Sequence, residues 1–304
     1  MAGVNLAEVW ELYSAPLPPP DIGSLDVLCA QNSDTPALLL FLVHGILSSA
    51  YTFTPLATHL LSTCPHLAIA ALTLRGHGGS SPLPSPFSPS AFVDDVLCGA
   101  RFVSARFSPP LPLVLCGHSL GGAAVARAAG AAWPGPPLRG IIGFDFVGDA
   151  AEPGAQASLL SRVPRAFASL AAAEAWARAA SREAGCLTGG GGHAAAVALD
   201  LLREGEGVAW RSRAALDAAS DPVVLAGWLA GASAAFLAAR CPKLLLLASA
   251  TSLVGDKGLT VAQMQGKMQV KVIAAGGHWM HEELPGAVAA AVAAFFTRCE
   301  VFAG

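Results

Sequence analysis

A chain of 304 residues suits one large domain or two small ones. With hydrophobic residues at 54% and charged residues at 13%, it is too apolar and too weakly charged for a disordered polymer. Its 18 basic and 21 acidic residues leave a net charge of −3 with no basic block, which disfavours a dedicated nucleic-acid binder.

Met1 to Glu11 lacks a basic start, and Glu8 and Glu11 interrupt its apolar stretch, so no signal peptide is expected. Residues 1–36 read as an irregular segment, because Leu17-Pro18-Pro19-Pro20 cannot lie inside a helix. Short continuous apolar runs then follow at 37–43 (ALLLFLV), 67–74 (LAIAALTL), 111–116 (LPLVLC) and 138–146 (LRGIIGFDF). Two more lie at 244–248 (LLLLA) and 268–274 (MQVKVIA). Such runs are expected of strands buried on both faces. Helices are expected between them over 52–62, 90–106, 120–132 and 284–297. Alternating strands and helices predict an α/β core with a mostly parallel sheet covered on both faces, assembled from residues 37–149 and 242–304.

The alternation stops between 150 and 241. Helices are expected there over 166–180, 193–203 and 223–239, with the glycine run 189–192 as a flexible joint. An all-helical insertion of this kind reads as a cap over the strand ends, where open α/β sheets bind ligands. The run 222–239 is long enough to be weighed as a membrane span, but its Gly, Ala and Ser content makes a buried helix the better expectation. The seven cysteines are scattered and include no C-x-x-C, which fits a reduced, intracellular setting, cytoplasmic or nuclear, rather than a disulfide framework or a zinc site.

The strongest chemical motif is Gly117-His118-Ser119-Leu120-Gly121, placed after an expected strand and before an alanine-rich helix. G-x-S-x-G in that context is a nucleophile elbow: small residues permit a tight strand-to-helix turn that projects Ser119 at the helix N-terminus. A serine needs a base. Of the eight histidines, His278 follows the last expected strand behind Gly276-Gly277, at the carboxyl edge, and His281 is its near rival. An acid must hold the imidazole in the right tautomer. Asp145, Asp149 and Asp256 are the candidates, and Asp145 is favoured because a charge between Phe144 and Phe146 is costly unless paired. Backbone N–H groups of Leu120 and of the loop at Gly45-Ile46 are the expected oxyanion donors. Neither a P-loop nor H-E-x-x-H is present; no cofactor or metal is expected, and His278, His281 and Glu282 match no standard zinc spacing.

Val43-His44-Gly45, Arg75-Gly76-His77-Gly78, Gly117-His118-Ser119-Leu120-Gly121 and Gly277-His278 resemble the α/β-hydrolase superfamily. A narrower resemblance, to the protein phosphatase methylesterases, is carried by the Arg162-Val163-Pro164 stretch through Phe167, by Trp210-Arg211, and by Gly227-Trp228-Leu229. It extends to Leu259-Thr260-Val261-Ala262-Gln263-Met264-Gln265-Gly266-Lys267 and the segment from Gly277 to Glu282. The resemblance implies an α/β-hydrolase fold and removal of a methyl ester from the C-terminal leucine of the type 2A phosphatase catalytic subunit. It also implies Ser119 as nucleophile, Asp145 rather than Asp256 as acid, and His278 as base. The oxyanion donors it implies are the N–H groups of Ile46 and Leu120, although the family's glycine-rich loop here reads His44-Gly45-Ile46-Leu47. Arg162, Phe167, Trp210 and Trp228 are the expected partner contacts on the cap. A small-molecule esterase or lipase, and a phosphatase-binding protein without turnover, are the alternatives.

Overall fold

In the computed structural model the described residues are 9–18, 23–82, 88, 90–130, 133, 135–146, 153–183, 201–204, 207–249, 253 and 255–298. Six strands answer to the apolar runs: β3 (Leu38–Val43), β4 (Leu67–Leu72), β5 (Leu113–His118), β6 (Leu138–Phe144), β10 (Lys243–Leu247) and β11 (Gln269–Val272). They pair in parallel, and with β1 (Glu11–Pro16) and β2 (Ser24–Gln31) the sheet has, among the described residues, eight strands in the order β1-β2-β4-β3-β5-β6-β10-β11.

The continuous apolar runs are explained by what each face meets. In β3, Leu39, Phe41 and Val43 point into one core while Leu38, Leu40 and Leu42 point into another. Helices α2 (Ser90–Ser104) and α3 (Leu120–Gly130) cover the first core through Phe92, Val96 and Val125. Helix α1 (Thr54–Thr63) and the C-terminal Pro285–Arg298 helix cover the second through Leu56, Leu60, Val292 and Phe295. Fully burying a side chain such as Phe41 stabilises the fold by about 1.5–3 kcal/mol.

Residues 1–36 are not irregular throughout. Strands β1 (Glu11–Pro16) and β2 (Ser24–Gln31) form an antiparallel hairpin that extends the sheet at the β4 edge. The prolines fall in the connection, where Leu17 N donates to Gly23 O at 2.8 Å, so they break the chain between strands rather than within one.

The inserted region is also not all-helical. A small antiparallel sheet, β7-β9-β8, is built from Ala166–Phe167, Leu201–Glu204 (β8) and Gly207–Trp210 (β9). The helix expected over 166–180 accordingly begins only at Leu170, and runs to Glu183. The helix expected over 223–239 is two, Pro222–Leu229 and Ala232–Ala238, divided where Gly231 takes φ 74°. Asp221 caps the first by accepting from Val223 N at 2.8 Å. The glycine run 189–192 and the first part of the 193–203 element lie outside the described residues. Among the described residues no single helix is long and apolar enough to cross a membrane; Arg213–Ala219 and Pro222–Ala238 pass only as a pair bent by 95°.

Candidate active site

Strand β5 delivers His118 and Ser119 to the carboxyl edge of the sheet. Ser119 takes φ 50°, a left-handed conformation that L-residues adopt rarely, as it turns from β5 into α3. Glycine is required on either side by close approach. A Cβ on Gly117 would lie 2.4 Å from Gly121 O, and one on Gly121 would lie 2.3 Å from His44 O. The turn is tied to the next strand by Ser119 N donating to Phe144 O at 3.0 Å. Ser119 remains partly exposed, at the N-terminal end of α3, where the first helical N–H groups have no intrahelical acceptor.

Asp145 follows β6 and also takes a left-handed conformation, φ 43°. Its N donates to Leu246 O at 2.8 Å and its Oδ1 accepts from Ala248 N at 3.0 Å, so β10 fixes both backbone and carboxylate. Its Oδ2 lies 2.6 Å from Nδ1 of His278. Burial works to raise the Asp145 pKa, but the hydrogen bond and charge of His278, with the Ala248 N–H, outweigh it and hold the carboxyl below its ordinary value. The His278 side chain is 34% exposed.

Two of the rival residues, Asp256 and His281, are occupied elsewhere. Asp256 caps the helix Lys257–Met264 and accepts from Leu259 N at 2.9 Å. Asp149 lies outside the described residues, as does His193. His281 is buried, with Nε2 2.9 Å from Thr52 Oγ1, and that hydroxyl also donates to the Glu282 carboxyl. His59 and His66 are exposed near the surface helix α1. Among the described residues no group of three or more His, Cys, Asp or Glu side chains is placed to hold a metal ion.

The loop after β3 lies against the serine: a Cβ on Gly45 would come within 3.0 Å of Ser119 Cβ. His44 ties the loop down, its Nδ1 donating to Gly45 O at 2.6 Å and its Nε2 accepting from Leu74 N at 3.0 Å. Complete burial, reinforced by His77, holds the His44 pKa well below the ordinary value, so the ring is neutral as that bonding requires. The neighbouring Arg75 loop is fixed by Asp95, whose Oδ2 accepts from Arg75 N at 2.9 Å and whose Oδ1 accepts from Arg75 Nε at 2.7 Å.

His118 was visible in the sequence only as the second residue of the motif. Its Nε2 donates to the carbonyl of His278 at 2.8 Å, and its ring centroid is 4.6 Å from that of His278. Burial, then the neighbouring His278 and His281, push its pKa well down, so it is a neutral donor.

The expected partner contacts divide. Trp228 is 1% exposed and packs edge-on against Phe92 at 5.6 Å, with its carbonyl accepting from Arg127 of α3. Trp210 is 3% exposed, its Nε1 donating to Pro164 O at 2.7 Å and its ring 5.9 Å from Trp176. Both rings fill apolar cores, whereas the sequence expectation places them on a contact surface; aromatics beside arginines do not reveal which way the rings face. Phe167 is half-buried beside Trp210 and Trp176, and Arg162 is exposed.

A family model described as the alpha/beta hydrolase family matches residues 40–291. The chain is 32% identical over 269 residues to protein phosphatase methylesterase 1 of Schizosaccharomyces pombe, covering 86% of this chain and 74% of that protein. It is 32% identical over 290 residues to the protein of the same name from Neurospora crassa, covering 84% of this chain and 63% of the relative's length. The solved structure of E-2-(acetamidomethylene)succinate hydrolase superposes with a TM-score of 0.73 at 21% identity, over 94% of this chain and 100% of that one, which speaks to the fold alone.

Proposed function

The chain belongs to the α/β-hydrolase family and, within it, to the protein phosphatase methylesterases, a family of carboxylic ester hydrolases, and we propose that it demethylates the C-terminal leucine of the type 2A protein phosphatase catalytic subunit through an acyl-enzyme. The observation that carries the chemistry is the 2.6 Å contact between Asp145 Oδ2 and His278 Nδ1, at the same sheet edge as Ser119.

With Nδ1–H directed at Asp145, the outer nitrogen of His278 is free to act as base. Ser119 Oγ attacks the ester carbonyl and its proton passes to His278 Nε2. The carbonyl oxygen becomes an oxyanion, held by the N–H groups of Ile46 and Leu120; losing one such donor costs about 10²–10³ in rate. The C–O bond to the methoxy group breaks and His278 returns the proton, releasing methanol. Water, deprotonated by His278, then attacks the acyl-serine. The leucine leaves as a free carboxylate and Ser119 regains its proton. Asp145 stays ionised throughout and stabilises the imidazolium, in keeping with its depressed pKa.

The inserted region, residues 150–241, acts as a cap, and Arg162, exposed on it, is the proposed contact for the phosphatase, with Phe167 beside it. The test is incubation with carboxymethylated phosphatase catalytic subunit, beside a p-nitrophenyl ester. Release of methanol from the phosphatase that is lost in Ser119→Ala is expected. Ester turnover without demethylation would move the assignment to a small-molecule esterase. Demethylation that survives Ser119→Ala would remove the serine mechanism.

A further inference from the structure

Leu47 takes φ 57°, a left-handed backbone that a branched apolar residue adopts only when its surroundings hold it there. It directly follows Ile46, in the loop that lies against Ser119. The side chain is buried, and it belongs to a third cluster rather than to either core beside the sheet. It packs with Trp210 and Leu216 of the inserted region, in a cluster joined by Ile46, Leu160, Val163, Phe167 and Trp176. Trp210 is itself fixed, through Nε1 to Pro164 O at 2.7 Å and through the pairing of Ala209 with Ala166.

We propose that Leu47 is a positioning residue: the aromatic cluster of the inserted region clamps its side chain, keeps the loop in its left-handed turn, and so holds the Ile46 N–H against the reacting carbonyl. This rests on the esterase reading above, with Ile46 as an oxyanion donor. Glycine adopts the left-handed conformation without help, so a glycine there needs no clamp. Leucine needs one, and the inserted region supplies it. The loop that lies against Ser119 is therefore held by side chains of the inserted region. A donor displaced by about 1 Å costs about tenfold or more in rate with little effect on ground-state binding.

The test is a double-mutant cycle on p-nitrophenyl acetate, with kcat, KM and melting temperature measured for each protein. It also measures the affinity for a trifluoromethyl ketone, whose tetrahedral adduct with Ser119 requires the oxyanion donors. Trp210→Leu alone is expected to lower kcat about tenfold, leave KM within about twofold, and weaken the ketone by the same factor as kcat. In the Leu47→Gly background the same substitution is expected to cost less than about twofold. Equal losses in both backgrounds, or a loss confined to KM, would overturn the proposal. If Trp210→Leu does not fold, Leu47→Ala against Leu47→Gly decides. Alanine keeps the backbone penalty and loses the clamp, so it should be the slower enzyme, and the reverse order overturns the proposal. Ser119→Ala runs beside them: hydrolysis that survives it strikes the esterase reading itself, whereas an inactive Ser119→Ala with an uncoupled cycle strikes only the clamp.

Discussion

His118 donates from Nε2 to the backbone carbonyl of His278 at 2.8 Å, so the residue before Ser119 anchors the loop that carries His278. Ser119 and His278 come from strands that are not neighbours in the sheet, and this bond ties their two loops together directly. His118 can serve in this way because burial keeps it neutral, with its proton on the nitrogen that faces an acceptor. His118→Leu is expected to lower kcat on a p-nitrophenyl ester by about 10–100-fold, because a small misplacement of the base is felt steeply. His118→Gln, which keeps an N–H donor at the same reach, should recover part of that loss. Equal kcat for the two variants would show that the donor is immaterial.

Asp145 and Asp256 make opposite predictions for function and stability. Asp145→Asn should lower kcat by about 10⁴, as expected when the wrong imidazole tautomer is favoured. Asp256→Ala removes a helix cap that Leu259 N uses at 2.9 Å, so it should cost about 0.5–2 kcal/mol of stability while turnover is retained. Kinetics and thermal melts on the two purified variants check this, and a larger kcat loss for Asp256→Ala would reverse the assignment.

The parts legible in the sequence are those set by local pattern. The apolar runs mark the parallel strands to within a few residues, because a strand buried on both faces has no polar face to break its run. Gly117, Gly121 and the position of Ser119 between strand and helix were legible for the same reason. What was missed depends on tertiary contact. Strands β1 and β2 were hidden by the prolines between them, and β7 is only two residues long. Nothing in Ile46-Leu47 announces a left-handed turn, since leucine is a poor choice for one until Trp210 is packed over it. Trp228 reads as an interface anchor in sequence and is a core residue in the fold, because composition carries no information on the direction a ring faces.

Stability should depend on Glu282 in a direction opposite to the usual carboxylate. Burial, with Glu283 adding to it, raises its pKa from 4.5 to about 8 against the hydrogen bond from Thr52. An unfolded chain releases this proton near 4.5 and the folded one only near 8, so the unfolded state binds fewer protons in between. The contribution is therefore complete below about 4.5 and is lost as pH rises through about 8. Glu282→Gln stays neutral at all pH. Its melting temperature relative to the starting protein should rise steadily from about pH 5 to about pH 8. A difference that is flat across that range, or that falls, contradicts a buried neutral acid.

Arg162 and Trp228 separate the proposed partner contact from the integrity of the inserted region. Trp228 lies against Phe92 of α2, and its carbonyl, with that of Ala230 at 2.7 Å from Arg127 Nη2, fastens the break between two helices of the inserted region to α3. Trp228→Ala should therefore cost about 3–5 kcal/mol of stability, as large-to-small changes in cores do. Its remaining activity should fall by the same factor on methylated phosphatase and on a p-nitrophenyl ester, since the damage precedes any choice of substrate. Arg162 is exposed on the same region and its removal leaves no cavity. Arg162→Ala should leave the melting temperature within about 1 °C and the small ester untouched, as surface changes usually stay within about 0.5 kcal/mol. On the phosphatase it should raise KM several-fold, because an arginine at an interface is truncated at a cost of about 1–2 kcal/mol when it makes a real contact. Parallel measurement of both substrates and of thermal melts decides the matter: an Arg162→Ala enzyme with unchanged KM for the phosphatase places the docking face elsewhere on the chain.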